Sequence, residues 1–287
     1  MRKWFKYVLN STNKTEKVLA LDNSAMEHIT ALKGKNISNA YKSKETFYKE
    51  FFFKYHMGRL EDYDVFLRKH LKKVDKILSI ACGRSANELR LIDEGYDIFC
   101  SDFYEYPWNN ETKKLWPDYR FSILDIIKNP APQEYDAVIG LSVIFIFDNK
   151  QLSDFFKNIH QSLNDKGYLI IDSAGSTDNI GTYFIHDVLV KIEIYLIRLI
   201  WFISSFGEKK FSIIKKHHGY RRRDDEIIKT AENSGFIFVE VENYAFLTEF
   251  RRSYILSYFM KIPFAKSVFR LLGSKIPYTR MFLFKKK

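Results

Sequence analysis

Along the chain, short apolar runs alternate with segments in which apolar residues recur every three or four positions. Seven short apolar runs have the length and composition of buried strands. They occupy residues 75–80, 98–100, 119–124, 135–141, 168–172, 236–241 and 281–284. The blocks that follow residues 85, 148 and 224 carry apolar residues at three- or four-residue spacing, which predicts helices. Strands that alternate with helices in this way predict an α/β fold built on a mostly parallel sheet.

A cluster of small residues follows the first predicted strand. Ala81, Gly83 and Ser85 allow the backbone to pass close to a ligand, and the next predicted helix would direct its free N–H groups there. Ser85 and Glu88 have the spacing of a capping box. The second strand ends near Asp102, whose carboxylate can accept hydrogen bonds from both hydroxyls of a ribose. The turn lacks G-x-G-x-x-G and G-K-[ST] patterns, which favours a nucleoside without phosphates; an ordinary βαβ unit without a ligand is the alternative.

The turn resembles the first motif of the Rossmann-like (class I) S-adenosylmethionine-dependent methyltransferases. That motif has an acidic residue, any residue and then G-C-G-x-G, and the second strand ends in an acid. Here Ser79 stands where the acid is usual, Ala81 and Ser85 replace two of the glycines, and Gly83 is kept. A second block, YDAVIGLSVIFIFDNKQLSDFFKNIHQSLNDKGYLIID, is similar to the same family in its order of strand, loop, helix, turn and strand. The resemblance covers residues 76–173.

The resemblance implies S-adenosyl-L-methionine as the cofactor and a set of residues that bind it. Asp102 would bind the ribose, the aromatic loop from Phe103 would cover the adenine, and Asp125 would bind the adenine amino group. The whole implied set is Ser79, Ala81, Gly83, Asp102, Phe103, Asp125, Ile126 and Leu141. For Asp125, a role in a turn or at a helix start is the alternative.

Transfer of a methyl group to a hydroxyl also requires a base near the methyl group. His186, His217 and His218 are the candidate bases by position, and Tyr220 is a candidate positioning group, although histidines are often purely structural. The basic run at 215–223 would either bind a phosphate or carboxylate of the acceptor or lie in solvent. No Cys or His cluster has zinc spacing, so we expect no metal site.

The same resemblance implies an architecture for the whole chain. We expect a seven-stranded Rossmann-like sheet with helices on both faces and an antiparallel last strand. Residues 1–73 would form an N-terminal helical cap, and residues 74–287 the methyltransferase domain, with helical additions at about 182–215 and 247–279. In the cap, Tyr41, Tyr48, His56 and Arg59 would either line a pocket or have an ordinary surface or packing role.

Positive charge is concentrated at the C-terminal end. Residues 250–287 contain ten Lys or Arg and no Asp or Glu, so they carry +10 of the formal net charge of +11. Aromatic and aliphatic residues lie between these cations, a mixture that suits an anionic membrane surface. A solvated charged face is the alternative, and nucleic acid is disfavoured because RNA-binding faces are more polar.

The most apolar stretch is residues 187–206. Lys191, Glu193 and Arg198 within it argue against a membrane-spanning helix. A helix packed on the sheet, a homodimer contact and a helix lying on a membrane surface are the interpretations that stay open.

The resemblance, taken together with the basic aromatic segment, implies an enzyme that O-methylates a lipid-linked or membrane-proximal acceptor, such as a sugar of a bacterial surface glycan. Methylation of a soluble small molecule and a non-catalytic methyltransferase-like binding module are the alternatives.

Two cysteines fit a reducing compartment, and the first ten residues have no apolar stretch long enough for a signal peptide. We therefore expect a cytoplasmic location, with the inner face of the membrane as a variant of it.

Overall fold

The structure is a computed structural model that describes most of the predicted sheet. It covers residues 41–51, 54–106, 108–174, 222–244 and 279–287, with isolated positions between 188 and 199 and between 262 and 271. The helices are α1 (Lys44–Phe51), α2 (Lys54–His70), α3 (Ala86–Asp93), α4 (Trp108–Leu115), α5 (Asn149–Ser162) and α6 (Asp224–Asn233), with a 3₁₀ turn at Ile144–Ile146. The strands are β1 (Lys76–Ser79), β2 (Asp97–Asp102), β3 (Arg120–Ile123), β4 (Tyr135–Gly140), β5 (Leu163–Ala174), β6 (Phe236–Tyr244) and β7 (Thr279–Lys286).

The strands form one seven-stranded sheet in the order β3-β2-β1-β4-β5-β7-β6. The first five strands pair in parallel, and β7 lies antiparallel between β5 and β6. The predicted α/β fold, with a mostly parallel sheet and an antiparallel last strand, is therefore confirmed. The strand order reverses between β1 and β4, which creates a crevice at their carboxyl ends where open α/β sheets bind ligands.

Helices cover both faces of this sheet because successive strand residues point to opposite sides. On one face, Ile77 packs with Phe66 of α2 and Leu89 of α3. On the other face, Leu78 packs with Phe155 of α5. Each of these side chains is almost fully buried, so both faces of β1 contribute to the core. Burial on both sides explains why the strand segments of the sequence are continuous apolar runs and do not alternate between apolar and polar residues.

Two local predictions on the second half of the sheet have different outcomes. Asp148 and Gln151 have the spacing of a capping box before the predicted helix, and the structure confirms it: Asp148 accepts a hydrogen bond from the Gln151 N–H (2.8 Å), and Gln151 accepts one from the Asp148 N–H (2.9 Å). The turn expected in the second motif block falls at residues 164–167, and that expectation is wrong, because these residues instead interrupt the pairing of β5 with β4 as an irregular bulge within the strand.

Several predictions concern parts of the chain outside the described residues. The additions at 182–215 and 247–279 belong mostly to them, as do the first 40 residues of the predicted cap. The domain boundary at residue 73 stays a prediction, although Phe47 of α1 and Phe66 of α2 share one apolar cluster with Ile77 of β1. Among the helices that the structure describes, none combines the length and hydropathy needed to span a bilayer.

Candidate functional site

Unusual backbone geometry marks the carboxyl ends of β1 and β4. Among the described residues other than glycine, positive φ angles occur at Ala81 (51°), Ser85 (55°) and Ser142 (56°), and Gly83 in the same turn has 55°. Side chains disfavour this conformation, and such strain is concentrated at functional sites. Ala81 and Ser142 lie two residues after β1 and β4, and Ser85 lies immediately before α3, so all three are near the point where the strand order reverses. The backbone thus indicates a candidate site in the crevice that the topology creates.

The turn after β1 is held against the end of β2 by hydrogen bonds to a buried acid. Asp102 is only 4% exposed, and its two carboxylate oxygens accept the N–H groups of Gly83 (2.9 Å) and Phe103 (2.8 Å). The Cys82 N–H donates to the Ser101 carbonyl at 3.0 Å. Burial raises the pKa of Asp102 to about 6, and the two N–H bonds oppose that rise. Each carboxylate oxygen retains acceptor capacity for a ligand hydroxyl.

A second buried acid lies beside the first. The Ser79 hydroxyl donates to Glu88 Oε1 at 2.6 Å, so a carboxyl from the first turn of α3 reaches the end of β1. Burial raises the pKa of Glu88 to about 7, and the Ser79 hydrogen bond partly opposes this effect. The predicted Ser85–Glu88 capping box is wrong, because Ser85 has a left-handed backbone and makes no side-chain cap bond. The Ser85 hydroxyl lies 3.2 Å from the Tyr119 hydroxyl instead.

Aromatic side chains border the same turn. Trp108 donates its indole N–H to the Gly83 carbonyl at 3.1 Å, and Tyr106 stacks on Trp108 with ring centroids 4.3 Å apart. Phe103, the predicted start of an adenine cover, is half-buried after the end of β2. The aromatic loop therefore lies next to the turn, and its contact with a cofactor stays a prediction.

The other predicted cofactor-binding residues, Asp125, Ile126 and Leu141, differ in their contacts and burial. Asp125 accepts a hydrogen bond from the Ile127 N–H (3.3 Å) and pairs with Lys128 (2.9 Å), as in the alternative turn role. Ile126 is buried in the core on the α5 face of the sheet. Leu141 packs partly buried against the α2 face. The Leu124 N–H bonds the Asp102 carbonyl at 2.8 Å, so this segment begins beside the candidate site.

A third buried acid, which the sequence analysis did not select, lies at the carboxyl end of β5. Asp172 accepts hydrogen bonds from the Tyr63 hydroxyl and from the Ser142 N–H, and the Ser142 hydroxyl is 3.4 Å away. The contact ties α2 to the strained residue after β4. The sequence does show that Asp172 is an acid near the end of an otherwise apolar strand. Its contact with Tyr63 could not be predicted, because the two residues are far apart along the chain.

Comparison with known proteins identifies one family for this chain. The family model described as tellurite resistance protein TehB matches residues 40–187, which is 148 of the 287 residues. The chain belongs to the TehB family. The resemblance to class I S-adenosylmethionine-dependent methyltransferases is thereby confirmed at the level of the family.

Curated TehB relatives are similar over a shorter range. Two proteins of Haemophilus influenzae, from strain 10810 and strain KW20, are each described as "Probable S-adenosyl-L-methionine-dependent methyltransferase TehB". Each is 30% identical over 108 residues, which are 37% of this chain and 38% of the relative. The chain thus matches well under half of the length of these relatives.

Solved structures show the same fold. A TehB-like S-adenosylmethionine-dependent methyltransferase from Corynebacterium glutamicum has a TM-score of 0.51 at 14% identity, over 92% of this chain and all of that one. The 1,6-didemethyltoxoflavin-N1-methyltransferase of Burkholderia thailandensis, with its substrate and S-adenosylhomocysteine bound, has a TM-score of 0.50 at 13% identity, over 84% and 87% of the two chains.

The catalytic candidates lie outside the described residues. His217, His218 and Tyr220 also lie beyond the TehB family match, whereas His186 is close to its end. Two arginines of the predicted basic run are described. Arg223 pairs with Asp225 at 3.0 Å. Arg222 is buried and donates to the carbonyls of Ile144 (3.1 Å) and Phe147 (2.5 Å). Its guanidinium therefore supports the loop after β4.

One group of side chains in the described residues has the composition of a metal site. Ligand atoms of His70, Glu240 and Glu242 lie within 4.8 Å of one another. The Lys69 ammonium already pairs with both glutamates, at 3.1 Å from Glu240. A cation is thus supplied by the chain itself, and the expectation of a protein without a metal stays a prediction.

Proposed function

We propose that this TehB-family protein is a methyltransferase that uses S-adenosylmethionine. The observation that carries the proposal is the pair of buried carboxyls, Asp102 and Glu88, beside a turn of positive φ angles at the reversal point of the sheet. The carboxylate oxygens of these two residues are hydrogen-bond acceptors, which suit a ligand that carries ribose hydroxyls together with positive charge. The family's curated relatives are described as users of the same cofactor.

When bound, S-adenosylmethionine would supply a methyl group from its sulfonium to a lone pair of the acceptor, with S-adenosylhomocysteine as the leaving group. The chain's part is to bind and orient. Asp102 would hold the ribose, and the turn at Ala81 and Gly83 would allow the ligand to approach the backbone closely. A hydroxyl acceptor would also need a base, for which His186, His217 and His218 remain the candidates.

The test is calorimetric titration of S-adenosylmethionine and S-adenosylhomocysteine into the wild type and into Asp102→Ala. We expect saturable binding that the substitution weakens about tenfold or more, as for a lost hydrogen bond to a charged group. Asp97→Ala is the matched control, because Asp97 lies at the other end of β2, is exposed and pairs with Arg120. If the wild type binds neither compound, the proposal fails.

For the acceptor, we propose a hydroxyl of a lipid-linked or membrane-proximal molecule, such as a sugar of a bacterial surface glycan. The support is the charge of residues 250–287 and the exposure of apolar side chains within that segment. Phe264 is 79% exposed and Leu271 is 72% exposed. Aromatic and aliphatic groups among cations are typical of proteins that bind anionic lipid.

The family's description favours a second candidate, a small soluble acceptor such as tellurite. Release of S-adenosylhomocysteine would be followed with tellurite and with a membrane extract rich in lipid-linked glycans. Turnover with tellurite alone would support the second candidate, and turnover with the extract alone the first. Any turnover would exclude the non-catalytic binding module, which the exchanges at Ser79, Ala81 and Ser85 suggest.

A further inference from the structure

The candidate site contains a carboxyl that the family's motif pattern does not place there. Position 79 holds a serine, but its hydroxyl contacts Glu88 Oε1 at 2.6 Å, and both side chains are nearly inaccessible to solvent. Glu88 comes from α3 and Ser79 from β1, so the contact spans the turn with positive φ angles. The carboxyl therefore reaches the end of β1 from the helix rather than from the strand.

The surroundings of Glu88 are poor in positive charge. Within the described part of the chain, Glu88 makes no ion pair, and its carboxylate accepts hydrogen bonds from the Ser79 hydroxyl and from its own backbone N–H. The nearby Asp64 pairs with Arg90 at 2.9 Å, and Asp102 accepts two backbone N–H groups. Asp64 and Asp102 both add negative potential at Glu88. A buried carboxyl without a cation is costly to maintain, which indicates a positively charged ligand group as its partner.

We propose that Glu88 binds the ammonium group of the cofactor's amino-acid part, with Ser79 as the residue that positions its carboxylate. This inference rests on the proposed function, because it requires the cofactor to lie across the ends of β1 and β2. Asp102 at the end of β2 would then hold the ribose, while Glu88 at the end of β1 holds the amino acid. The carboxyl ends of two neighbouring strands, β1 and β2, would thus bind different parts of the same ligand.

Two ligands that differ in the amino-acid part test this assignment. S-adenosylhomocysteine carries the ammonium group, whereas 5′-methylthioadenosine keeps the nucleoside and the sulfur and lacks the amino acid. For Glu88→Gln we expect about tenfold or more weaker binding of S-adenosylhomocysteine and binding of 5′-methylthioadenosine within about twofold of wild type. Glu94→Gln is the matched control, because Glu94 follows the same helix, is exposed and pairs with Arg68.

An exchange of the two groups provides a sharper test. In the double variant Ser79→Asp with Glu88→Ser, one carboxyl and one hydroxyl still face each other, with the carboxyl now on the strand. We expect the exchange to recover most of the affinity for S-adenosylhomocysteine that Glu88→Gln loses. If Glu88→Gln does not fold, Ser79→Ala replaces it and should weaken S-adenosylhomocysteine binding selectively by a few fold.

The outcomes separate this inference from the proposed function. Equal losses for the two ligands, or no loss for either, would overturn the role of Glu88 while the cofactor site stands. A selective loss that the exchange restores would support the role. Binding of neither ligand by the wild type would overturn the proposed function and this inference together.

Discussion

At the scale of single residues, buried acids give the candidate site a pH response. The titratable groups around Glu88 are Asp64 and Arg90, Asp102, Cys82, Tyr119 and Tyr48. Burial is the main reason that the pKa of Glu88 rises to about 7 and that of Asp102 to about 6. A folded-state pKa above the unfolded value means that the folded protein binds more protons, so stability falls as pH rises through that range.

Replacing Glu88 therefore tests the cost of this carboxyl. We predict that Glu88→Gln stabilises the ligand-free protein by about 1–3 kcal/mol at pH 8, where the wild-type carboxyl is ionised, and changes it little at pH 4.5. Gln can still accept the Ser79 hydrogen bond, so packing is kept. Thermal unfolding of both proteins at the two pH values measures the difference.

Glu94→Gln is a control with the opposite sign. The ion pair with Arg68 lowers the pKa of Glu94, so its contribution to stability is present at neutral pH and disappears as pH falls. The substitution should cause a small loss at pH 8 and none in acid. A Glu88→Gln effect that is the same at both pH values would contradict the burial argument.

At the scale of elements, two turns test how helices are joined to strands. Gly95 joins α3 to β2 with φ +89°, and Gly235 joins α6 to β6 with φ +95°. A Cβ at Gly95 would meet nothing within 4 Å, whereas one at Gly235 would lie 2.7 Å from His160 Nε2. The two glycines therefore share the backbone requirement and differ in the space around them.

Alanine substitution separates these two effects. Gly95→Ala should cost about 1–2 kcal/mol, from the left-handed backbone alone. Gly235→Ala should cost more, because the His160 ring must also move away from α6 and Phe236. Urea denaturation of both variants gives the free energies of unfolding. Equal costs would show that His160 moves freely.

At the scale of the whole molecule, charge is distributed very unevenly. Residues 250–287 carry +10, which leaves about +1 for the other 249 residues. The described positions 264, 268 and 271 in this segment are helical, and each presents an exposed apolar side chain at helical spacing. The lipid binding proposed for this surface would require both the charge and the apolar stripe.

Sedimentation with lipid vesicles tests that surface. We expect binding to vesicles of mixed phosphatidylcholine and phosphatidylglycerol that weakens at high salt, and little binding to phosphatidylcholine alone. Phe264→Ser with Leu271→Ser should weaken the binding about tenfold or more, because two apolar side chains no longer enter the lipid. Val74→Ser is the control, since Val74 is 88% exposed in the loop before β1. Unchanged binding by the double variant would remove support for a membrane-proximal acceptor.

Much of the fold could be predicted from local patterns. The apolar run at 135–141 became β4, the Asp148–Gln151 capping box begins α5, and Asp102 ends β2 beside the small-residue turn. The Ser85–Glu88 pattern failed because the same residue types allow two outcomes. A left-handed backbone at Ser85 directs Glu88 toward β1 instead of toward the helix start. That choice depends on packing, which sequence spacing does not contain.

The sequence by itself determined the seven strands, the helices α3, α5 and α6, the family and the position of the turn that borders the site, because periodicity and small residues act within a few neighbours along the chain. Only the tertiary structure decided which distant groups meet. It placed β7 between β5 and β6, brought the Glu88 carboxyl to Ser79, and joined Tyr63 of α2 to Asp172 of β5. These contacts follow from how whole helices and strands pack, since burial selects partners by distance in space rather than along the chain.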